Sequence, residues 1–212
     1  MDQFEIKDGA AIIPEGTTKI TDYAFCECTS LESITIPDCV TSIGEGAFYN
    51  CTSLKSITIG NSVTSIGVYA FAVCDSLESI VVAEGNPVYD SREGCNAIIE
   101  TETNTLICGC KSTIIPDSVT SIGKEAFDGC TSLTSITIPD SVTSIGEDAF
   151  RGCTSLTTVT FAEVRNPFEG CTSLSTIYVP AKKADDYKKR LPEELHDIIV
   201  ELDPEKKTKA KK

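Results

Sequence analysis

The chain repeats itself at a fixed interval. The string IPDSVTSIGxxAFxGCTSLTSIT runs from Ile115 and again from Ile138, a step of 23 residues, and Ile13, Ile36 and Ile59 open earlier copies. Phenylalanines Phe25, Phe48, Phe71, Phe127, Phe150 and Phe168 mark six turns. Each is followed three residues on by a cysteine (Cys28, Cys51, Cys74, Cys130, Cys153, Cys171) and six on by a leucine (Leu31, Leu54, Leu77, Leu133, Leu156, Leu174). A unit this short cannot bury an apolar face alone, so its copies must stack and share one interior.

Within one copy the apolar positions are Ile36, Val40, Ile43, Ala47, Phe48, Cys51, Leu54 and Ile57. Neither the helical nor the strand period fits that spacing throughout. A coil built of several short segments does, because each segment sends one or two side chains inward. Leu31, Ile34 and Ile36 alternate as in a strand, which suits threonine and isoleucine; Pro37, Pro116 and Pro139 end such strands. The glycines Gly44, Gly67, Gly123 and Gly146 precede a turn ending in Ala-Phe that has room for about one helical turn at most. Each revolution is therefore expected to pair with the next through one parallel strand, roughly 4.8 Å per step.

Charge and hydropathy exclude several classes. The net charge is −14, and residues 205–212 contribute five lysines against one glutamate, so the rest of the chain stands at −18. A body this acidic repels nucleic acid. The tail EKKTKAKK is too short and polar to pack and reads as disordered. No apolar stretch is long enough for a membrane-spanning helix. The start MDQFEIKDG lacks the order of an export signal; since such a signal is removed on export, localisation stays open between the cell surface and the cytoplasm.

The pattern IPxxVTSIGxxAFxxCTSLxSIT resembles the BspA-like leucine-rich repeats, abundant in bacterial surface proteins and in some protozoan ones, over about residues 12–180. The resemblance implies an α/β repeat protein, mostly β, folded as a right-handed leucine-rich-repeat solenoid of parallel strands. It would form one domain over residues 1–204. Residues 1–12 would cap the N-terminus, 13–82 and 115–180 would be repeats, and 181–204 a C-terminal cap with a helix near Asp185–Leu191 and a strand at Ile198–Val200 with Leu202. Family members are described as adhesion or host-matrix-binding proteins. Two departures stand out. From Val82 to Ile115 the step is 33 residues, and within 83–114 the runs AIIE and TLIC suggest a β-hairpin standing off the solenoid. The last turn, Phe150 to Phe168, spans only 18.

Eleven cysteines invite disulfide or metal readings. Six share one repeat position and are expected to line up as buried free thiols at a corner where other leucine-rich repeats hydrogen-bond the turning backbone. Of the others, Cys26 falls where sister repeats carry varied residues and is expected to be exposed, and Cys39 replaces a serine. A disulfide from Cys95 to Cys108 or Cys110 is conceivable, as is zinc on Cys26, Cys28 and Cys39 or on Cys95, Cys108 and Cys110. Neither set has paired C-x2-C spacing, so no metal and no cofactor are expected.

Catalysis finds little support. The single histidine, His196, lies in the C-terminal cap, away from any repeat cysteine. No phosphate-binding glycine loop, nucleophile elbow or zinc-helix motif occurs. Glu147 and Asp148 sit at variable positions and read as a solvated face, and the sequon at Asn50 lies inside the repeat pattern.

The outward row of the strands is Thr35, Thr58, Val81, Thr137, Thr160 and Tyr178, flanked by small hydroxyls, with a second hydroxyl stripe after each valine. Such hydroxyl ladders satisfy themselves between neighbouring strands, so the row serves β-propensity and solubility; the functional alternative is a flat polar platform for a protein or glycan. Tyr89 and Arg92 of the insertion join it as candidate contacts, because they break the monotony of the repeat and aromatic and arginine side chains carry binding energy. The sequence thus points to a monomeric, non-catalytic binding or adhesion module, with a ligandless scaffold as the alternative.

Overall fold

In a computed structural model of the chain, residues 4–139, 141–160, 171–179, 184–188, 191 and 193–201 are described. Phe168, most of the shortened last turn, Leu202 and the lysine-rich tail lie outside them. The fold is a mostly-β parallel solenoid of about seven turns with little helix.

Each coil carries two strands. After the leucine comes a longer one, and Ser33–Ile36, Ser56–Ile59 and Ser79–Val82 pair in parallel with Ile34, Ile57 and Ile80 in register. The Thr-Ser-Ile segment after the valine, read from the sequence as a hydroxyl stripe, makes a second ladder. There Lys19–Ile20, Ser42–Ile43 and Ser65–Ile66 pair in parallel. A two-residue strand leaves too little alternation to show in a sequence, yet its isoleucine faces the core: Ile20 is 0% and Ile43 1% exposed.

The phenylalanine corner is no helix. The residue two before each phenylalanine is left-handed (Tyr23, Gly46, Tyr69, Glu125 and Asp148, φ 54–59°), and so is the one two after it (Glu27, Asn50, Val73, Gly129 and Gly152, φ 57–71°). These bends point alternate N–H groups at the next coil. Phe25 N–H donates to Ala47 O at 2.7 Å, and the N–H groups of Phe48 and Phe127 donate likewise to Ala70 O and Ala149 O, both at 2.8 Å. The rings then stack nearly parallel, with Phe4, Phe25, Phe48 and Phe71 at centroid steps of 4.9, 5.0 and 5.3 Å, and Phe127 on Phe150 at 4.9 Å.

The repeat cysteines form the expected free-thiol ladder. Four of the six Sγ–H groups reach back to the phenylalanine carbonyl of the preceding coil, Cys51 to Phe25 at 3.0 Å, Cys74 to Phe48 and Cys153 to Phe127 at 3.2 Å, and Cys171 to Phe150 at 3.0 Å; Cys130 points to Gly109 O at 3.9 Å, and Cys28 lies by Ser30 Oγ. All eleven cysteines are free, so the insertion has no disulfide. Cys95 and Cys110 instead engage the carbonyls of Ala97 and Asn96. Cys26 is half-buried where exposure was expected. Its position faces partly inward, as Asp128 at 6% exposed shows.

The insertion does not stand off the solenoid. Ile98–Glu100 and Thr105–Cys108 do form an antiparallel hairpin, joined on its outer side by Tyr89–Asp90. Thr105–Cys108 also pairs in parallel with Ser121–Ile122, taking the place of a Ser-Ile strand in the second ladder. Ala97, Ile98, Ile99 and Leu106 are each 0% exposed. Three consecutive apolar residues would leave one face of a detached hairpin in water, and burial removes that cost. Cys110–Lys111–Ser112–Thr113 then replaces the CTSL turn and Ile114–Ile115–Pro116 the ITIP strand end, completing a shortened extra coil. The long-strand ladder breaks there and resumes with Ser135–Thr137, Thr158–Thr160 and Thr176–Val179. The phenylalanine column likewise breaks between Phe71 and Phe127. The interior is therefore two clusters meeting at the hairpin, Ile98 packing into the first and Ile99 into the second.

Both ends are covered. Glu5–Lys7 and Ala10–Ile12 form a hairpin turned by Asp8 and Gly9 (φ 51° and 77°), and its second strand pairs with Ser33–Ile36. At the other end the helix Ala184–Lys188 and a 3-10 turn, Glu193–Ile198, lead into Ile199–Glu201, which extends the parallel ladder beyond Thr176–Val179. Tyr187 and Leu191, 3% and 5% exposed, close the core.

Two measurements follow. Val73 is a β-branched residue held left-handed at φ 59°, where the sister coil has Asn50. Val73→Asn is expected to stabilise by about 1 kcal/mol, raising Tm by about 2–4 °C in a thermal melt. The second concerns pH. Burial pushes the Cys51 and Cys130 thiols up to about 12, whereas an unfolded thiol ionises near ~8.5. The folded chain then holds protons that the unfolded chain releases, so stability is intact below ~8.5 and falls between there and about 12, by about 1.4 kcal/mol per pH unit per buried thiol. Melts between pH 7 and 10.5 should show this decline, and Cys51→Ala should make it shallower.

Candidate binding site

The structure divides the expected outward row in two. Thr35, Thr58 and Val81 are direct cross-strand partners, as are Thr137, Thr160 and Tyr178. Thr35 and Thr137 are exposed, Thr58 and Tyr178 half-buried, and Val81 is 45% exposed. Aligned on proline, Ile114 takes the corresponding place in the shortened coil, outside any strand, and is 73% exposed. Its segment is tied to the first half by Lys111 Nζ on Glu78 Oε1 at 2.8 Å and by Ser112 Oγ–H donating to Glu78 O, and to the insertion by Ile114 N–H on Cys95 O at 3.0 Å. Sequence reasoning missed Ile114 because it counted residues 83–114 as insertion. The signal was present: aligned on proline, IIP sets an isoleucine where the repeats have the threonine of ITIP.

The two insertion candidates are not surface contacts. Tyr89 is 7% exposed and packs in the first core cluster, because pairing with Glu100 turns it inward, and its hydroxyl hydrogen-bonds the Ile66 backbone. Burial pushes its phenol pKa up. Arg92 is a staple. Its Nε and Nη2 donate to Asp90 at 2.8 and 2.6 Å and its Nη1 to Asn104 Oδ1 at 2.9 Å, and the Asp90 bond raises its pKa. A guanidinium so engaged holds the loop together and leaves little for a ligand. His196 Nε2 lies 2.9 Å from Leu191 O, within the cap.

A cleft of about 260 Å³ opens where the ladder breaks. In intact coils three rungs join neighbours at the corner, from the N–H groups two before, at, and two after the phenylalanine. Between the third coil and the coil of Phe127 only the last survives, Val73 N–H to Asp128 O at 3.1 Å. The middle acceptor, Ala126 O, is taken by Gly109 N–H at 2.8 Å. Gly109 thus stands at the backbone position of a phenylalanine in the shortened coil; a Cβ there would lie 2.1 Å from Phe127 Cε1. The shortened coil omits residues of this corner and a ring, and the cleft is what remains.

Its lining includes Phe71, Tyr89, Cys130, Glu100, Lys124 and Glu125, of which the Lys124 side chain is exposed and the Glu125 side chain buried. Tyr69 Oη–H donates across the cleft to Glu125 Oε1 at 2.8 Å, which raises the tyrosine pKa. Lys124 Nζ lies 3.5 Å from Glu125 and 3.3 Å from Glu147. Asp128 is 6% exposed, and burial raises its carboxyl pKa despite Arg151 Nε at 3.3 Å. Among the described residues no group of three His, Cys, Asp or Glu could hold a metal ion. Gly109→Ala should destabilise by about 1–3 kcal/mol, as overpacking does; equilibrium urea unfolding checks it.

Comparison with known proteins places this geometry. A family model described as BspA type leucine rich repeat region matches in six copies, over residues 9–95 and 98–188. No curated protein sequence matches. Among solved structures, a leucine-rich repeat protein from Bacteroides ovatus is 29% identical with a TM-score of 0.54, over 92% of this chain and 54% of that one. A T. pallidum leucine rich repeat protein is 27% identical (TM-score 0.45; 89% and 80% covered). One from Eubacterium ventriosum is 21% identical (TM-score 0.45; 81% and 66% covered). This chain thus spans about two thirds of the Eubacterium protein and about half of the Bacteroides one. With most of its length matched by the repeat, the chain belongs to the BspA type leucine-rich repeat family.

Proposed function

We propose that this chain is a non-catalytic recognition module of bacterial surface type that contacts a protein or glycan ligand through its strand face. The family is one of bacterial surface-type repeat proteins, compatible with binding. The observation that carries the reading is the apolar pair Val81 and Ile114, 45% and 73% exposed, at repeat positions otherwise held by threonine and tyrosine, with Val200 of the cap strand, 44% exposed, extending the row past Tyr178. Threonine would serve the ladder as well as Val81 does, as its partner Thr58 shows, and would dissolve better at either position. Large apolar side chains at the centre of a polar face are the composition of an interface core with its rim.

Immobilised chain presented with matrix proteins and a glycan panel tests this. At least one ligand should bind, and the double variant Val81→Glu, Ile114→Glu should weaken it by at least about tenfold with Tm unchanged, the effect of charging a hot spot. Equal binding by the variant, or a panel with no ligand, would refute the strand-face reading and leave a scaffold.

A further inference from the structure

We infer that the cleft at the break receives an extended segment of a protein ligand, its main chain pairing with Tyr69, Phe71 and Lys124 and one aromatic side chain filling the space beside Phe71. The inference extends the recognition reading and stands independently of the strand face.

The main chain carries the argument. The N–H groups of Tyr69 and Phe71 find no acceptor among the described residues, although their counterparts in the other coils bond the next coil. On the facing coil Lys124 C=O, the acceptor that Tyr69 would use, receives no donor among the described residues. Backbone groups inside a fold are almost always paired. Two donors two residues apart on one side of the chain form the open edge that an added strand completes.

Size selects what accompanies that backbone. The cleft, about 260 Å³, exceeds the ~150 Å³ cavity that holds one benzene and falls short of the ~300–1,000 Å³ of sites for free-standing ligands. One ring-sized side chain fits. Phe71 ends a column of near-parallel rings at 4.9–5.3 Å steps, with none stacked beyond it, and the backbone position next in line is the glycine of the shortened coil. An aromatic ring continues the column in the geometry that such pairs favour.

Charge narrows the segment further. Glu100, Glu125 and Asp128 face the cleft against one lysine, Lys124, already paired. An acidic segment is repelled, and basic flanks are attracted.

The test uses the full chain, labelled with nitrogen-15, and the peptide acetyl-Lys-Val-Phe-Val-Lys-amide. Its addition should shift the Tyr69 and Phe71 amide signals saturably while those of Phe25 and Phe48, already bonded, stay in place. The same peptide with alanine for phenylalanine should bind at least about tenfold more weakly, the factor expected for one buried ring. No saturable shift at either amide, or an equal response to the alanine peptide, overturns the inference. So does indole alone moving both signals as far as the peptide does, because the main chain then contributes nothing. Ligand capture on the strand face with silent cleft amides defeats this inference alone; shifting amides without capture defeat only the strand-face reading.

Discussion

Everything in this molecule hangs on backbone hydrogen bonds between successive coils, donated back to the preceding coil at the strand ends (Thr41 N–H to Thr18 O, Gly44 N–H to Ile20 O) and forward at the phenylalanine corner (Phe25 N–H to Ala47 O). At the strands that is ordinary parallel pairing, but at the phenylalanine corner it requires two left-handed residues per turn, a conformation most side chains resist. The corner tolerates it because ring stacking and the thiol-to-carbonyl bonds lock the same segment. The phenylalanine carbonyl accepts the Sγ–H of the following coil while its ring lies on the ring behind it. Side-chain packing and main-chain satisfaction thus share one 23-residue period, and neither could hold without the other.

The same dependence explains what the shortened coil does. By omitting corner residues it removes two rungs and a ring together, so apolar space and unpaired polar groups arise at one place. Ordinarily these are opposites. A void left by a missing side chain is greasy and dry, and orphaned amides sit where water reaches them. Here Tyr69 and Phe71 present both along one edge, beside two buried carboxylates.

Much of this was legible in the residues. The period gave the stack, Phe and Leu the interior, and the shared cysteine position the thiol ladder, since each depends on identity recurring at one spacing. What escaped depended on identity being lost. CKST has neither the leucine nor the full strand of CTSL, so the extra coil passed for a loop and Ile114 went uncounted within it. Tyr89 and Arg92 drew notice for being unlike the repeat, but a residue unlike the repeat can as well be one that repairs a break in it. Tyr89 packs in the first core and lines the cleft where the column stops, and Arg92 pins the loop that makes the stop possible. Composition registers the oddity and only topology assigns its purpose.

The surviving rung between the halves has a mechanical meaning. Among the described residues the direct hydrogen bonds between the third coil and the coil of Phe127 include Val73 N–H on Asp128 O, the Tyr69–Glu125 bond, and Asp75 accepting from Ser132 N–H and from the Thr131 and Ser132 side chains. Elsewhere neighbouring coils share two strand ladders as well. Tension applied between the ends of the chain therefore meets a seam with fewer main-chain bonds than either stack, held besides by the shortened coil through Lys111 and Ser112 on Glu78 and by Ile98 in the first core. A molecule pulled from both ends would begin to part there, where side-chain packing and ion pairs take over from the two ladders.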